Sequence, residues 1–363
     1  MRVQVMSFAV MALVPLALCL MAALSGGLWV WAAVVWLGAV VAALDLILPP
    51  FAANAPEGAE FPGSDALLAV IGITVPVLLA TVVVAAGHAG WAEGPALGLA
   101  AGFWLGQVAH PAAHELIHRA DRRLFRLGVA VYGLLAMGHH ASSHRLVHHV
   151  HVATPDDPAT ARSGQGFWRF LLRAEVEGFR KGLAAENALR ARRAKGLHPY
   201  ALYLTGTAVA GAAALALAGG IGGVVWLVLC LHVKLQIHLS DYVQHYGLTR
   251  RRLPDGRLEP VGPRHSWNGA AWLSSHMMLN APRHSDHHAH PARPYPALRL
   301  PGVEEAPRLP LPLPLACMVA LVPPLWRRMM RPHLARWRQP DAGVTGTEAP
   351  RVASVNDRPT EPA

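Results

Sequence analysis

Residues 95–118 read PALGLAAGFWLGQVAHPAAHELIH, an uncharged apolar run that leads straight into two histidines four residues apart, His114 and His118. The stretch from Pro95 to Ala109 is near the roughly 20 residues that a helix needs to cross a bilayer. Residues four apart on a helix share one face, so this segment predicts a membrane helix that carries two imidazoles to a common point at its end. That combination sets the expected class: an all-α integral membrane protein with a histidine-rich cap.

The rest of the chain extends the pattern. Phe8 to Leu24, Leu28 to Leu48, Ala66 to Ala86, Tyr200 to Ala218 and Ile221 to Gln244 are apolar runs of similar length, giving six expected spans. The first reads as a retained helix, since no small-residue cleavage site followed by a polar domain succeeds it. Of 363 residues, 53% are hydrophobic and only 15% charged, with a mean hydropathy of +0.30, a composition outside the soluble globular range. Arg119, Arg122, Arg123 and Arg126, the stretch from Arg162 to Lys195, and Arg250 to Arg252 flank spans four, five and six, whereas the turns Ser25–Gly27, Gly87–Gly94 and Gly219–Gly220 carry no Lys or Arg. The positive-inside rule then places both termini and the histidines on the cytoplasmic side of the inner membrane. The connection around Glu57, Glu60 and Asp65 has no positive charge and adds no support to that topology. The net charge of +10 is a topology signal and an attraction to anionic headgroups. No nucleic-acid motif accompanies the arginines, so no nucleic-acid partner is expected.

Between spans four and five, Leu124 to Met137 is too short to span and suits a half-inserted helix, while Phe167 to Arg193 has the mixed pattern of a helix lying in the interface. Leu309 to Leu325 holds five prolines and is a poor spanning helix. Residues 1–338 read as one six-span membrane domain and 339–363 as a disordered tail.

Four histidine clusters run through this frame: His114 and His118; His144, His148 and His149; His245; and His284, His287 and His288. Nine imidazoles are too many for one ion, since structural zinc takes four ligands and catalytic zinc commonly three protein ligands. Two adjacent ions fit the count, and imidazole suits iron, copper, nickel or zinc. A lipid-embedded substrate at a redox metal points to iron and O2. Cys19, Cys230 and Cys317 form no Cys-x-x-Cys pair, so if the chemistry needs electrons another protein has to bring them.

The motifs His114–Arg119 (HELIHR), His148–Ala159 (HHVHVATPDDPA), Gln244–Leu248 (QHYGL) and Arg283–Pro291 (RHSDHHAHP) resemble those of the membrane alkane 1-monooxygenases, non-haem di-iron enzymes within the integral-membrane desaturase and hydroxylase superfamily. The resemblance spans about residues 100 to 300. It implies two Fe ions, terminal hydroxylation of an alkyl chain with O2, and electrons from rubredoxin, itself reduced by an NADH-dependent rubredoxin reductase. By matching position it assigns His114, His118, His144, His148, His149, His245, His284, His287 and His288 as iron ligands. The chain departs from the family at Ser143, where a Glu is usual, at Ala270 and Ala271 in place of Asn-His, and at Ala281 and Pro282 in place of Leu-Gln.

Glu115, Asp157, Asp241 and Asp286 are expected as carboxylates behind the ligands, because a ligating histidine usually gives its second N–H to a carboxylate or carbonyl; capping and solvation are their plain alternatives. His110 and His238 face the ligand side as packing or outer partners, and His139, His140, His151, His265, His276 and His290 stay outside the ligand set. Trp29, Trp31 and Trp36 suit a hydrocarbon tunnel or interface anchors equally. Arg145, Arg162 and Arg250 to Arg252 form an expected dock for an acidic donor. The alternatives are a fatty acyl desaturase or hydroxylase, separable by its products; an intramembrane zinc protease using Glu115 as base, separable by a metal count of one; and a metal transporter, which needs ionisable groups strung along the spans.

Overall fold

The computed structural model describes residues 2–193 and 196–337; the expected tail at 339–363 lies outside the described residues. Among the described residues the chain is helical, with no strand and only isolated bridges between Arg252 and Leu258 and between Asn268 and Arg308. Helix α1 (Arg2–Ser25) turns into α2 (Leu28–Val35), which continues through a π turn (Trp36–Val40) into α3 (Val41–Ile47). Helix α4 (Ser64–His88) is followed by α5 (Glu93–Trp104), a second π turn (Leu105–Ala109) and α6 (His110–Ile117). Beyond lie α7 (Arg122–Leu134), α8 (His140–Ser143), a third π turn (His144–His148), α9 (His149–His151), α10 (Phe167–Arg193) and α11 (Pro199–Gln244). The chain closes with α12 (Trp272–Met277), α13 (His284–Ala289), α14 (Leu313–Ala320) and α15 (Pro323–Trp337).

Four helices are long and apolar enough to cross a membrane: Gln4–Ser25, Leu28–Ile47, Ser64–His88 and Pro199–Gln244. Large apolar side chains point outward along them, Ile73, Val77, Leu215, Val224 and Val228 among them, as in a helix whose surroundings are hydrocarbon. The last of the four is two segments. Ala218 and Gly219 leave the helical region, Gly219 at φ 61°, a conformation open to glycine at little cost. The expected fourth span sits inside the unbroken helical run of residues 93–117.

Small residues let these helices approach closely. A Cβ on Gly102 would lie 2.0 Å from His232 Nδ1, and one on Gly106 2.4 Å from the Gln236 amide. The space they leave lets Gln236 Nε2 donate to the Gly102 carbonyl at 2.8 Å. Trp104, fully buried, donates from Nε1 to the Ala12 carbonyl at 2.9 Å and ties α5 to α1. Helix α7 begins where Asp121 accepts from the N–H groups of Arg123 and Leu124, a standard N-cap.

Two contacts fix the cap to the spans. Asp45 on α3 accepts from the N–H groups of Leu273 and Ser274 at 2.7 and 3.1 Å, anchoring α12. Buried Arg283 donates to Asn54 Oδ1 and to the carbonyls of Phe51, Ala53 and Leu298. The connection between α3 and α4 therefore straps the last histidine cluster. Glu57 in this connection pairs with Arg299 at 2.9 Å, and Asp65 in the first turn of α4 pairs with Arg119 at 2.8 Å.

Candidate metal centre

The third π turn decides how the histidines divide. In an α-helix, residues five apart sit about 140° round the axis from each other; the wider π turn closes that angle. His144 and His149 consequently point the same way while His148 points elsewhere. The nine candidate ligands form two groups: His114, His118, His144, His149 and His287; and His148, His245, His284 and His288. In each group one ring nitrogen from every residue lies within 4.8 Å of the others. Helix α13 divides in the same manner, His284 and His288 going to the second group and His287 to the first.

The nitrogens converge tightly. In the first group His144 Nε2 lies 2.8 Å from His114 Nε2 and 2.9 Å from His149 Nε2, and His287 Nε2 is 3.2 Å from His149 Nε2. In the second, His284 Nε2 is 2.9 Å from His245 Nε2 and 3.1 Å from His288 Nε2, with His148 Nε2 3.2 Å from His288 Nε2. A neutral imidazole has one N–H, so such clusters cannot satisfy one another as hydrogen bonds. Donors spaced around one ion at about 2.1 Å bonds and right angles would lie about 3.0 Å apart. His118 Nε2 is also buried with no hydrogen-bond partner. The donor set fits two imidazole-ligated metal ions.

Burial first, and neighbouring imidazoles second, hold His144 and His149 well below the usual histidine range; the same causes act on His284, His287 and His288. These rings are therefore neutral, the form that ligates. His148 differs. Burial would push it down, but the Asp157 carboxylate, 2.8 Å from its Nδ1, turns the balance upward. Asp157 in turn accepts from Thr160 Oγ1 at 2.6 Å, so its lone pairs are committed to orienting that one ring.

The other three carboxylates sit differently. Glu115 accepts from the Tyr295 N–H at 3.1 Å and pairs with Arg119 at 3.1 Å; burial pushes it up to about 7 against the pull of Arg119. Asp286 is taken by Arg293, by His290 at 3.2 Å and by the Arg299 N–H at 2.8 Å. Asp241 lines two cavities of about 30 Å³ each, one shared with His114, His144, His284 and His287, the other with His144, His148 and Asp157. His110 meets the Tyr132 hydroxyl at 3.0 Å and His238 meets Glu175 at 2.9 Å. Of the remaining histidines, His265 faces Glu259 and His276 the Trp272 carbonyl.

Three contributors had no assigned role from sequence. His140 stacks on His144 at 5.1 Å between ring centres and lines both cavities. Asn268 Oδ1 accepts from both the N–H and the hydroxyl of Ser285 and so sets the start of α13. Leu279, at φ 52°, is held in the left-handed region and lines the cavity beside His287.

The fatty acid desaturase family matches residues 89–311, a stretch that contains every histidine of both groups. The chain is 29% identical over 340 residues to alkane 1-monooxygenase 2 of Alcanivorax borkumensis, covering 90% of this chain and 88% of the relative. It is 34% identical over 283 residues to an alkane 1-monooxygenase of Pseudomonas putida, covering 74% and 68%. To the hydroxylase component of the xylene/toluene monooxygenase of Pseudomonas putida it is 28% identical over 344 residues, 86% and 85% of the two chains.

Proposed function

The chain belongs to the fatty acid desaturase family and, within it, to the alkane 1-monooxygenases, and from that premise we propose that it hydroxylates the terminal methyl of an alkane or similar alkyl chain at two iron ions. It is an oxygen-dependent oxidoreductase of the membrane. The observation that carries the finer reading is the division of nine histidines into two converging groups, five and four.

His114, His118, His144, His149 and His287 would hold one iron, and His148, His245, His284 and His288 the other. When bound, the irons supply O2 activation and the oxidising power to break an unactivated C–H bond. The protein's own part is positioning and exclusion of water. The cavity beside His114, His144, His284 and His287 also has Met278, Leu279 and Leu298 on its wall, an apolar surface suited to a methyl group. Asp157 fixes the ring of His148. A groove of about 1040 Å³ lined by Leu99, Val224, Val228, Leu231 and Leu235 supports a substrate drawn from the bilayer. Glu115, held by Arg119 and a backbone N–H, is a structural partner rather than the free base that a zinc protease needs.

The break at Ala218 and Gly219 and the helical run 93–117 support six spans, with the termini and the histidines on the cytoplasmic side of the inner membrane and residues 1–338 as one domain. Electrons come from rubredoxin and its NADH-dependent reductase, since the three cysteines lie free and apart.

The test is metal analysis followed by a homologous series of n-alkanes. Two irons per chain and primary alcohols up to a sharp length limit are expected, because each buried CH2 adds about 0.8 kcal/mol until the chamber ends. Alkenes would make the protein a desaturase, oxidation of aromatic methyl groups alone would move it toward the xylene/toluene enzyme, and a single zinc would overturn the reading.

A further inference from the structure

A further pocket lies between the turn at Ser163 and Gly164 and helix α15. Ser163, Gly164, Tyr246, Arg327, Arg331 and Leu334 line it, with a volume of about 350 Å³. Helix α15 supplies its cationic wall. Trp326, Met330, Leu334 and Trp337 bury one face of that helix against the protein, and Arg327, Arg328 and Arg331 are exposed on the other. Arg336 pairs with Glu304, but among the described residues Arg327, Arg328 and Arg331 make no ion pair. The pocket's floor leads inward. The Tyr246 hydroxyl accepts from the Gly164 N–H at 3.0 Å, its carbonyl accepts from Trp267 Nε1 at 2.9 Å, and its neighbour in the chain is His245 of the four-histidine group.

We propose that this pocket is the seat of an acidic one-electron carrier protein, with Arg327 and Arg331 as its anchoring charges and Tyr246 and His245 as the covalent path from surface to metal centre. The inference rests on the hydroxylase reading and places its partner. Hydroxylation breaks one C–H bond and forms one C–O bond. The second oxygen atom leaves as water with two protons from solvent and two electrons, so a one-electron carrier must dock twice per turnover. Unpaired arginines around a concavity supply the steering and the register that a repeated, short-lived encounter needs. A membrane surface is the weaker occupant, because Trp326, Met330, Leu334 and Trp337 commit the apolar face of α15 to the protein core and leave Leu325 as the one exposed large apolar side chain of that helix.

The experiment uses the full chain in neutral phosphatidylcholine nanodiscs and a bacterial rubredoxin as probe. Binding is measured at low and at physiological salt, for the native protein, for R327E/R331E, for the milder R327Q/R331Q and for R122E/R126E, which reverses exposed charges on α7. Binding that weakens with salt, falls at least tenfold in R327E/R331E, falls less in R327Q/R331Q and holds in R122E/R126E supports the proposal. It should be accompanied by an equal drop in kcat/KM for the carrier, with KM for the hydrocarbon and the iron content unchanged. Equal binding in R327E/R331E and native protein overturns it, as does an equal loss in R122E/R126E. So does a loss of affinity for phosphatidylglycerol vesicles without a loss of rubredoxin binding, which makes the pocket a headgroup site. Carrier binding without any hydroxylation fails the hydroxylase reading and leaves the dock standing; hydroxylation under a chemical reductant without carrier binding does the reverse.

Discussion

The two histidine groups are built differently from shared parts. The four-residue group is buried at every member, and His148 in it is pinned by Asp157, itself pinned by Thr160. The five-residue group has three members only partly buried and, at His118, a ring nitrogen with no protein partner. The segment 144–149 and helix α13 each feed both groups, whereas His114 and His118 serve only the first and His245 only the second. The four-residue group thus has no spare donor and one ring, His148, held by a carboxylate, with His288 Nδ1 buried and unpartnered; the five-residue group has one donor in hand. Loss of a ligand should cost the two groups unequally.

The largest effect is expected at His148. H148A leaves three donors and strands Asp157 without its partner, so iron should fall by about one per chain and turnover should vanish. H118A leaves four donors, and most of the iron should stay. Metal analysis of both variants decides it: equal iron loss would break the distinction between the groups.

Next is the orienting carboxylate. D157N keeps the shape of the side chain but removes the charge that holds His148, and changes of this kind usually cost 10–100-fold in metal affinity. E115Q should leave metal affinity nearly unchanged, since Glu115 touches Arg119 and Tyr295 and no ligand ring. Competition with a chelator measures both. A large loss of affinity in E115Q would mean that the carboxylate reaches the first group by a route the static contacts do not contain.

Much of the frame was legible in the sequence because it depends on local pattern. Apolar runs, glycine breaks such as Gly219 and the i, i+4 spacing of His114 and His118 are local signals, and helix α10 spans the expected Phe167 to Arg193. Which histidine joins which group was not legible, since it hangs on a π turn at 144–148 whose residues have no distinctive propensity. The strap formed by Phe51, Ala53 and Asn54 on Arg283 was equally hidden. It joins residues some 230 apart in sequence, and nothing near Asn54 marks it. Asp286 is the case where a local rule points one way and a distant partner another: its place beside His287 suggests a ligand partner, but Arg293 and the Arg299 N–H occupy it.

Ser143, where the resemblance implies Glu, tests how tightly the wall beside the first group is packed. A Cβ on Gly182 would lie 3.1 Å from Ser143 Cβ and 2.5 Å from the Tyr200 hydroxyl, so α10 passes too close for a long side chain at 143. S143E should overpack this contact and cost about 3 kcal/mol, at the upper end for such substitutions, read as a fall in Tm. An unchanged Tm would mean that α10 moves aside, and that the closeness of this wall does not constrain the centre.

The smallest effect comes from a charge cluster that neither histidine group uses. Glu175 faces Lys234 and His238 at hydrogen-bonding distance and His139 at 3.9 Å. Burial alone would raise its carboxyl, but the hydrogen bond to His238 and the charge of Lys234 lower it from 4.5 to about 2. A carboxyl depressed by folding stabilises fully above its unfolded value and loses that contribution as the pH falls toward the folded one. A shift of this size corresponds to about 3 kcal/mol, reduced to about 1–2 kcal/mol by the partial exposure of the pair. Between pH 4.5 and 2 the native protein should therefore lose Tm more steeply than E175Q, and above pH 5 the two curves should run parallel with E175Q lower. Thermal unfolding in detergent across that range measures the difference. An identical acid limb would show that the cluster is neutralised by solvent from the groove side, and would remove it as a source of unequal stability between the spans and the cap.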